Sequence, residues 1–283
     1  MKKKKLEQNY LVINDTKLPI FIISLKQDKS RRKKLLKLFS KKIVKNYFNA
    51  VDTRNFKRAK LDSYCNLESI KKIYKRKLYP GEVGIALSHK KIYRHIVKYK
   101  IQNALIFEDD IFVKDIKWKR ELGKILKEIK NLDKNKSILC NLGISDMVLR
   151  KRKIFIFKFL PKILNKLWLL DLKKNNLKLA HSYLINQTAA KNILSKNKKI
   201  NCVADDWRFF NQQKCFEYFL ISKKLFFQNK KFTSRIQNNN EKKKIAKNSQ
   251  FILFQLINES YLKPIIHFSY QWLKPKIILK KNI

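Results

Sequence analysis

Glycine, proline, cysteine and methionine are all scarce in this chain, and acidic residues are few beside basic ones. Four glycines and five prolines among 283 residues exclude a collagen-like repeat and a Gly-rich disordered chain. The same shortage leaves no glycine-rich phosphate loop, which argues against a dinucleotide or P-loop site. The four cysteines, Cys65, Cys140, Cys202 and Cys215, include no close pair at zinc-ligand spacing and imply no disulfide framework, so a reducing compartment is expected. No apolar run is long enough to span a bilayer. Met1-Lys2-Lys3-Lys4-Lys5 looks like the basic end of a signal peptide, but Leu6-Glu7-Gln8-Asn9-Tyr10 is too polar to continue one.

What is abundant is positive charge. Lys and Arg number 68 against 21 Asp and Glu, a formal net charge of +47. Such a balance ordinarily points to a polyanion partner. Here the basic residues are spread along the whole chain, Lys far outnumbers Arg, and no nucleic-acid-reading module is visible. The charge therefore reads as background that would favour an anionic lipid surface over nucleic acid. Apolar content of 45% is ordinary, so a sizeable core is available.

The most informative stretch is Ala104-Leu105-Ile106-Phe107-Glu108-Asp109-Asp110-Ile111-Phe112-Val113. A short run of Leu, Ile and Phe predicts a buried strand, and three consecutive carboxylates interrupt it. Buried carboxylates need partners. Strand alternation would put Glu108 and Asp110 on one face and Asp109 on the other. Two carboxylates converging at a strand end suit a hard divalent cation, Mn²⁺ or Mg²⁺; the alternative is an acidic turn paired with lysines.

Around this stretch the pattern alternates. Leu18 to Leu25 reads as a first buried strand, followed by a polar loop carrying Arg31 and Arg32 and then a helix through Leu35 and Phe39. That order opens a nucleotide-binding α/β unit, in which the two arginines would meet a diphosphate or else form a solvated first turn. Tyr47 to Asp52 reads as a second short strand ending in an acid. A turn at Tyr79-Pro80-Gly81-Glu82 feeds a helix from Val83 to about Tyr99, with an apolar stripe of Ile85, Ile92, Ile96 and Tyr99 that Ser88 and His89 interrupt. His89 would be a core histidine, or would orient the acidic site. Further strands are expected at Ser137–Gly143 and Leu179–Asn186, the latter leading into a helix capped by Asn186 or Thr188. Val203-Ala204-Asp205-Asp206-Trp207 is a second acidic pair beside aromatics. It reads as a base next to a sugar-stacking Trp, or as acids stabilising a helix start.

Taken in order, four blocks resemble glycosyltransferase family 25, which includes bacterial lipooligosaccharide galactosyltransferases and collagen galactosyltransferases. They are Ile22-Ile23-Ser24-Leu25 with Arg31-Arg32; Ala50-Val51-Asp52; Pro80-Gly81-Glu82-Val83-Gly84 and Ser88-His89 running into Glu108-Asp109-Asp110; and His181-Ser182-Tyr183-Leu184 with Asp205-Asp206-Trp207. The resemblance covers roughly residues 19–235. It implies a GT-A-like α/β fold with a mixed, mostly parallel sheet, a UDP-sugar donor, usually UDP-galactose, and inversion at the anomeric carbon. It further implies a metal site at Glu108 and Asp110 that takes Mn²⁺ or Mg²⁺. The donor contacts it implies are Ser24, Leu25, Arg31, Arg32, Asp52, Ser88, His89, Glu108 and Asp109, and the candidate catalytic residues are Asp205, Asp206 and His181. The chain departs from the family at Ser24 (usually Asn), Ser30 (usually Asp) and Ile85 (often Cys), and lacks the glycine often found just before the His181 block. Residues 1–18 are expected to be a polar lead-in, 19–236 the catalytic domain, and 237–283 a basic, aromatic extension that packs on it or lies on a membrane. A lipooligosaccharide acceptor would place the protein in the cytoplasm, at the inner-membrane face.

Overall fold

A computed structural model describes residues 9–13, 16–43, 47–132, 135–145, 167–170, 172 and 178–229. Their centre is an eight-stranded sheet of order β1-β2-β4-β8-β6-β9-β7, with β3 also paired to β2. The strands are β1 (Asn9–Ile13), β2 (Thr16–Ser24), β3 (Phe48–Asn49), β4 (Asn103–Glu108), β6 (Ile138–Ser145), β7 (Leu167–Leu169), β8 (Ser182–Asn186) and β9 (Glu217–Ile221). Parallel pairings join β2 to β3, β2 to β4, and β6 to β9, whereas β8 runs antiparallel between β4 and β6. A separate antiparallel ribbon pairs β5 (Ile111–Phe112) with β10 (Phe227–Gln228). This is the mixed α/β, GT-A-like architecture that the resemblance implies.

Strand alternation builds the two faces. Ile20, Ile22, Leu105 and Phe107 pack on one side against α1 (Lys29–Ile43) and α5 (Trp118–Lys130), through Leu35, Phe39, Trp118 and Leu122. Phe21, Ile23, Ala104 and Ile106 pack on the other against α4 (Pro80–Lys98) and α6 (Gln187–Lys196), through Ile92, Tyr93, Ile96 and Ile193. Fully burying an aliphatic or aromatic side chain contributes about 1.5–3 kcal/mol, so a sheet covered on both faces needs the near-continuous apolar runs seen in β2 and β4. A smaller cluster joins α2 (Arg58–Ser63) and α3 (Leu67–Tyr74) to the start of α4. All four cysteines are buried and free.

Three local expectations change. The stretch read as a polar lead-in contains β1, whose alternating Asn9, Leu11 and Ile13 are buried while Tyr10 and Val12 face out. The short period-2 pattern is legible only beside the β2 edge it covers. On α4 the buried face runs through Val83, Ala86, His89, Ile92, Tyr93 and Ile96, whereas Tyr99 is 46% exposed and follows the helix end. The acidic stretch is not one strand, because β4 ends at Glu108 and Asp109-Asp110 form a turn into β5. Asn186 is the cap of α6, accepting from the Ala189 N–H at 3.0 Å. Residues 237–283, expected to form the basic aromatic extension, lie outside the described residues.

Candidate active site

The parallel strands β2, β3 and β4 all end at the same edge, and a cleft of about 340 Å³ opens there. Loops at the carboxyl ends of parallel strands are where α/β proteins bind ligands, because the connections diverge there. Its lining carries five carboxylates (Asp28, Asp52, Glu108, Asp109, Asp110) and two guanidiniums (Arg31, Arg54). A chain of net charge +47 has thus gathered acid into the cleft at the carboxyl ends of its parallel strands.

The floor is Glu108, Asp110 and His89. Asp110 is buried, its Oδ2 accepts from Gln228 Nε2 at 2.9 Å, and its Oδ1 has no hydrogen-bond partner among the described residues. Burial, and then the neighbouring Glu108 charge, push the Asp110 carboxyl up to about 7. Glu108 is likewise pushed up to about 7, by burial and then by Asp205 and Asp109. His89 is buried, and burial pushes its imidazole down to about 4, so the ring is neutral near pH 7. Its Nδ1 meets the Tyr183 hydroxyl at 2.6 Å, and its Nε2 lies 3.9 Å from Glu108 Oε1.

The walls are committed to the fold. Arg31 Nη1 donates to Asp109 Oδ1 at 3.0 Å, so that this carboxylate is already paired. Arg32 donates to Ser24 Oγ (3.0 Å), to the Ser24 carbonyl (3.1 Å) and to Asn49 Oδ1 (3.1 Å), with its guanidinium 4.5 Å from the Tyr47 ring centre. Expected to meet a diphosphate or to be solvated, Arg32 instead stitches β2 to β3 and does not line the cleft. Asp52 accepts from Arg54 and Gln27, and the Arg54 bonds hold its carboxyl well below the usual range.

Ser88 is also structural in its contacts. Its Oγ donates to the Gly84 carbonyl at 2.7 Å and accepts the Val51 N–H at 2.8 Å, pinning the Ala50–Arg54 wall to α4. Gly84 is required at this crossing, since a Cβ there would lie 2.6 Å from the Val51 carbonyl and 2.7 Å from Thr53 Oγ1. Thr53 Oγ1 donates in turn to the Pro80 carbonyl.

The second acidic pair divides. Asp206 caps α7 (Trp207–Gln212), with Oδ1 accepting from the Phe209 N–H at 3.1 Å and Oδ2 from the Tyr74 hydroxyl at 2.6 Å. Trp207 is fully buried, so it packs in the core and stacks on no sugar. Asp205 accepts from the Leu179 N–H at 3.1 Å, burial raises its carboxyl, and its charge is felt at both Glu108 and His89. Leu179 has φ 103°, a backbone state that glycine adopts without strain. Asp205, Asn141 and Trp207 hold that residue through its N–H and carbonyl. His181 lies outside the cleft lining, with Nε2 3.4 Å from the Phe226 carbonyl and its ring against Gly143.

Thus the fold brings Ser24, Leu25, Arg31, Asp52, Ser88, His89, Glu108, Asp109 and Asp110 to one cleft, and leaves Arg32, His181, Asp205 and Asp206 off its lining. It also adds Asp28, Thr53, Arg54, Gln228 and Asn229. Asp28 and Arg54 were within reach of the sequence, as polar residues in loops after predicted strands. Gln228 was not, because its bond to Asp110 spans 118 residues.

The chain has known relatives. The family model described as glycosyltransferase family 25 (LPS biosynthesis protein) matches residues 17–209. The chain belongs to glycosyltransferase family 25. Among curated family 25 relatives, mouse procollagen galactosyltransferase 2 is 30% identical over 115 residues, 39% of this chain and 18% of that protein. The human protein of the same name is 29% identical over 115 residues, and zebrafish procollagen galactosyltransferase 1 is 28% identical over 120 residues. The matches span under a fifth of those relatives' length. Among the described residues no helix is long and apolar enough to cross a membrane.

Proposed function

We propose that this family 25 chain transfers a hexose, galactose first among candidates, from a UDP-sugar to a lipooligosaccharide or lipopolysaccharide acceptor, with inversion. The observation that carries this reading is the pair Glu108 and Asp110 at the end of β4, with Asp110 Oδ1 buried and unpartnered. Two adjacent carboxyls pushed up to about 7 disfavour their own ionised forms, and a bound cation removes that penalty. Among the described residues no group of three or more His, Cys, Asp or Glu converges as a complete ligand set. Two carboxylates with the remaining positions filled by water and phosphate oxygens suit Mn²⁺ or Mg²⁺. Glu108 and Asp110 would hold that ion, which when bound supplies positive charge to the departing diphosphate.

The other residues divide the remaining work. Arg31 brings a second positive charge to the wall, Ser24 and Leu25 shape the donor side, and Asp52 and Arg54 close it. In the inverting step the acceptor hydroxyl oxygen bonds to the anomeric carbon as the carbon–phosphate oxygen bond breaks, UDP leaves, and a carboxylate takes the hydroxyl proton. Asp205 is assigned that proton. Its raised carboxyl sits near the acidic floor, whereas both oxygens of Asp206 are already used. The basic surface favours work at an anionic membrane face, cytoplasmic in a bacterium. The acid-rich cleft repels a bare polyanion, so nucleic acid is not its ligand.

UDP release from purified protein, measured over a panel of UDP-sugars with Mn²⁺ or EDTA, tests the proposal. Release from one donor, lost with EDTA and in Asp110→Asn, is the expected result. Asp205→Asn should lower kcat while donor binding persists. Folded protein that releases UDP from no donor, even with a lipooligosaccharide acceptor present, would refute it.

A further inference from the structure

Beneath the acidic floor three buried polar side chains form a line. The Tyr93 hydroxyl lies 2.7 Å from the Tyr183 hydroxyl, which lies 2.6 Å from His89 Nδ1. The opposite ring nitrogen, His89 Nε2, is buried, has no hydrogen-bond partner among the described residues, and lies 3.9 Å from Glu108 Oε1. The rings fit closely, with Tyr183 stacked on His89 and edge-on to buried Trp207.

Counting donors fixes the direction of this line. A neutral imidazole carries one N–H and one lone pair, and each tyrosine one O–H. If the ring proton sat on Nδ1, it would donate to Tyr183, Tyr183 would donate to Tyr93, and the buried Tyr93 O–H would have no acceptor. An unprotonated Nε2 would then face the Glu108 oxygens, a contact that only a protonated Glu108, unable to ligate a cation, would satisfy. In the reverse order Tyr93 donates to Tyr183, Tyr183 donates to Nδ1, and Nε2–H faces Glu108. Every buried donor is then used once the 3.9 Å gap closes by about 1 Å, the difference from an ordinary N–H···O contact.

We infer that Tyr93, Tyr183 and His89 form a directed hydrogen-bond chain whose Nε2–H clasps Glu108 Oε1 when the cleft is loaded and turns the other Glu108 oxygen towards the ligand. His89, Tyr183 and Tyr93 are positioning residues in this account, and none of them touches the reacting atoms. The inference rests on the reading of the cleft given above. It gives a use to a buried histidine on α4 and to the two buried tyrosine hydroxyls beside it. Outer partners of this kind set ligand orientation and are worth about 10- to 100-fold in metal affinity.

The test has two arms on the full chain. ¹⁵N-histidine NMR of ligand-free protein, with His89 assigned by loss of its signals in His89→Gln, reads the tautomer. Protonation at Nε2 is expected, with a mixed population in Tyr183→Phe and Tyr93→Phe. A wild-type ring protonated at Nδ1 overturns the inference. In the second arm, Mn²⁺ affinity measured by electron paramagnetic resonance should fall about 10-fold or more in His89→Phe and Tyr183→Phe. His89→Gln, which keeps an N–H, should recover much of it. A residue that only fills space predicts Phe to be at least as good as Gln, so equal affinities in the two variants also overturn the inference. Wild-type protein that neither binds Mn²⁺ nor releases UDP overturns the reading of the cleft. The tautomer arm, which needs no ligand, keeps the two failures apart.

Discussion

The two acidic blocks look alike in sequence, and the fold uses them in opposite ways. At the end of β4, Asp110 keeps a buried oxygen without a partner and shares the cleft floor with Glu108. At the start of α7, Asp206 gives one oxygen to a backbone N–H and the other to a tyrosine hydroxyl. One block stores unmet electrostatic demand, and the other satisfies a helix end. A helix start always offers unpaired N–H groups to a carboxylate, whereas a strand end facing a cleft offers none. The difference lies in what the backbone presents nearby, since the residue types are the same.

That contrast breaks first on activity. Asp110→Asn should cut UDP release roughly 100-fold or more, comparable to the loss of a transition-state charge contact, while leaving stability at pH 8 equal or higher. If Asp110 were a fold residue the pattern would reverse, with activity per folded molecule retained and the urea midpoint lowered. The partner experiment is Asp206→Ala. It should destabilise the protein by about 2–3 kcal/mol in urea unfolding, through the lost cap and an unsatisfied Tyr74 hydroxyl. Any protein that stays folded should keep most of its donor binding.

A pH series sharpens the comparison. Glu108 and Asp110 are pushed up to about 7 in the fold, so the folded state holds extra protons between the ordinary carboxylate range and about pH 7. Their contribution to stability is therefore lost as pH rises through that window. His89 and His181 are pushed down to about 4 and act with the opposite sign, losing their contribution as pH falls from about 6.5 towards 4. The wild-type curve is a difference between these opposing slopes and should be flat near pH 5–6. Asp110→Asn removes one acid, so its stability relative to wild type should climb with pH by up to about 1.4 kcal/mol per unit, levelling off near pH 7. A constant offset across the series would show that Asp110 ionises normally.

The smallest effect belongs to a third acid. Asp52 is partly exposed and paired with Arg54, so Arg54→Ala should cost no more than about 1 kcal/mol in unfolding and fade with salt. A larger loss would place that pair with Asp206, among the groups the fold depends on.

Much of this was legible in the chain. The apolar runs of β2 and β4, the turn at Pro80, and the helices over Leu35–Phe39 and Ile92–Ile96 follow from period and breakers. The gathering of Ser24, Asp52, Ser88, His89 and Glu108 at one edge followed from the family resemblance rather than from pattern, since Ser88 and His89 read equally as core positions of α4. Arg31 and Arg32 were indistinguishable as adjacent basic residues at a helix start. The fold turns Arg32 back onto two acceptors of Ser24 at the end of β2 and one of Asn49 in β3, and leaves Arg31 to Asp109. Trp207 next to two acids suggested a sugar platform, and its complete burial behind Tyr183 and Phe216 removes that role.

The sequence by itself determined the layering, because the near-continuous apolar runs of β2 and β4 suit only a sheet covered on both faces. It also determined that acid would collect at the end of β4, since three consecutive carboxylates cannot continue a buried strand. Tertiary structure decided which carboxylates remained available. Gln228 reaches Asp110 from 118 residues away, Arg31 claims Asp109 from 78 away, and Tyr183 sets the ring of His89 from 94 away. A hydrogen bond needs its partners within about 3 Å. Which distant side chains arrive at that distance depends on how the strands are ordered in the sheet, which no local pattern encodes.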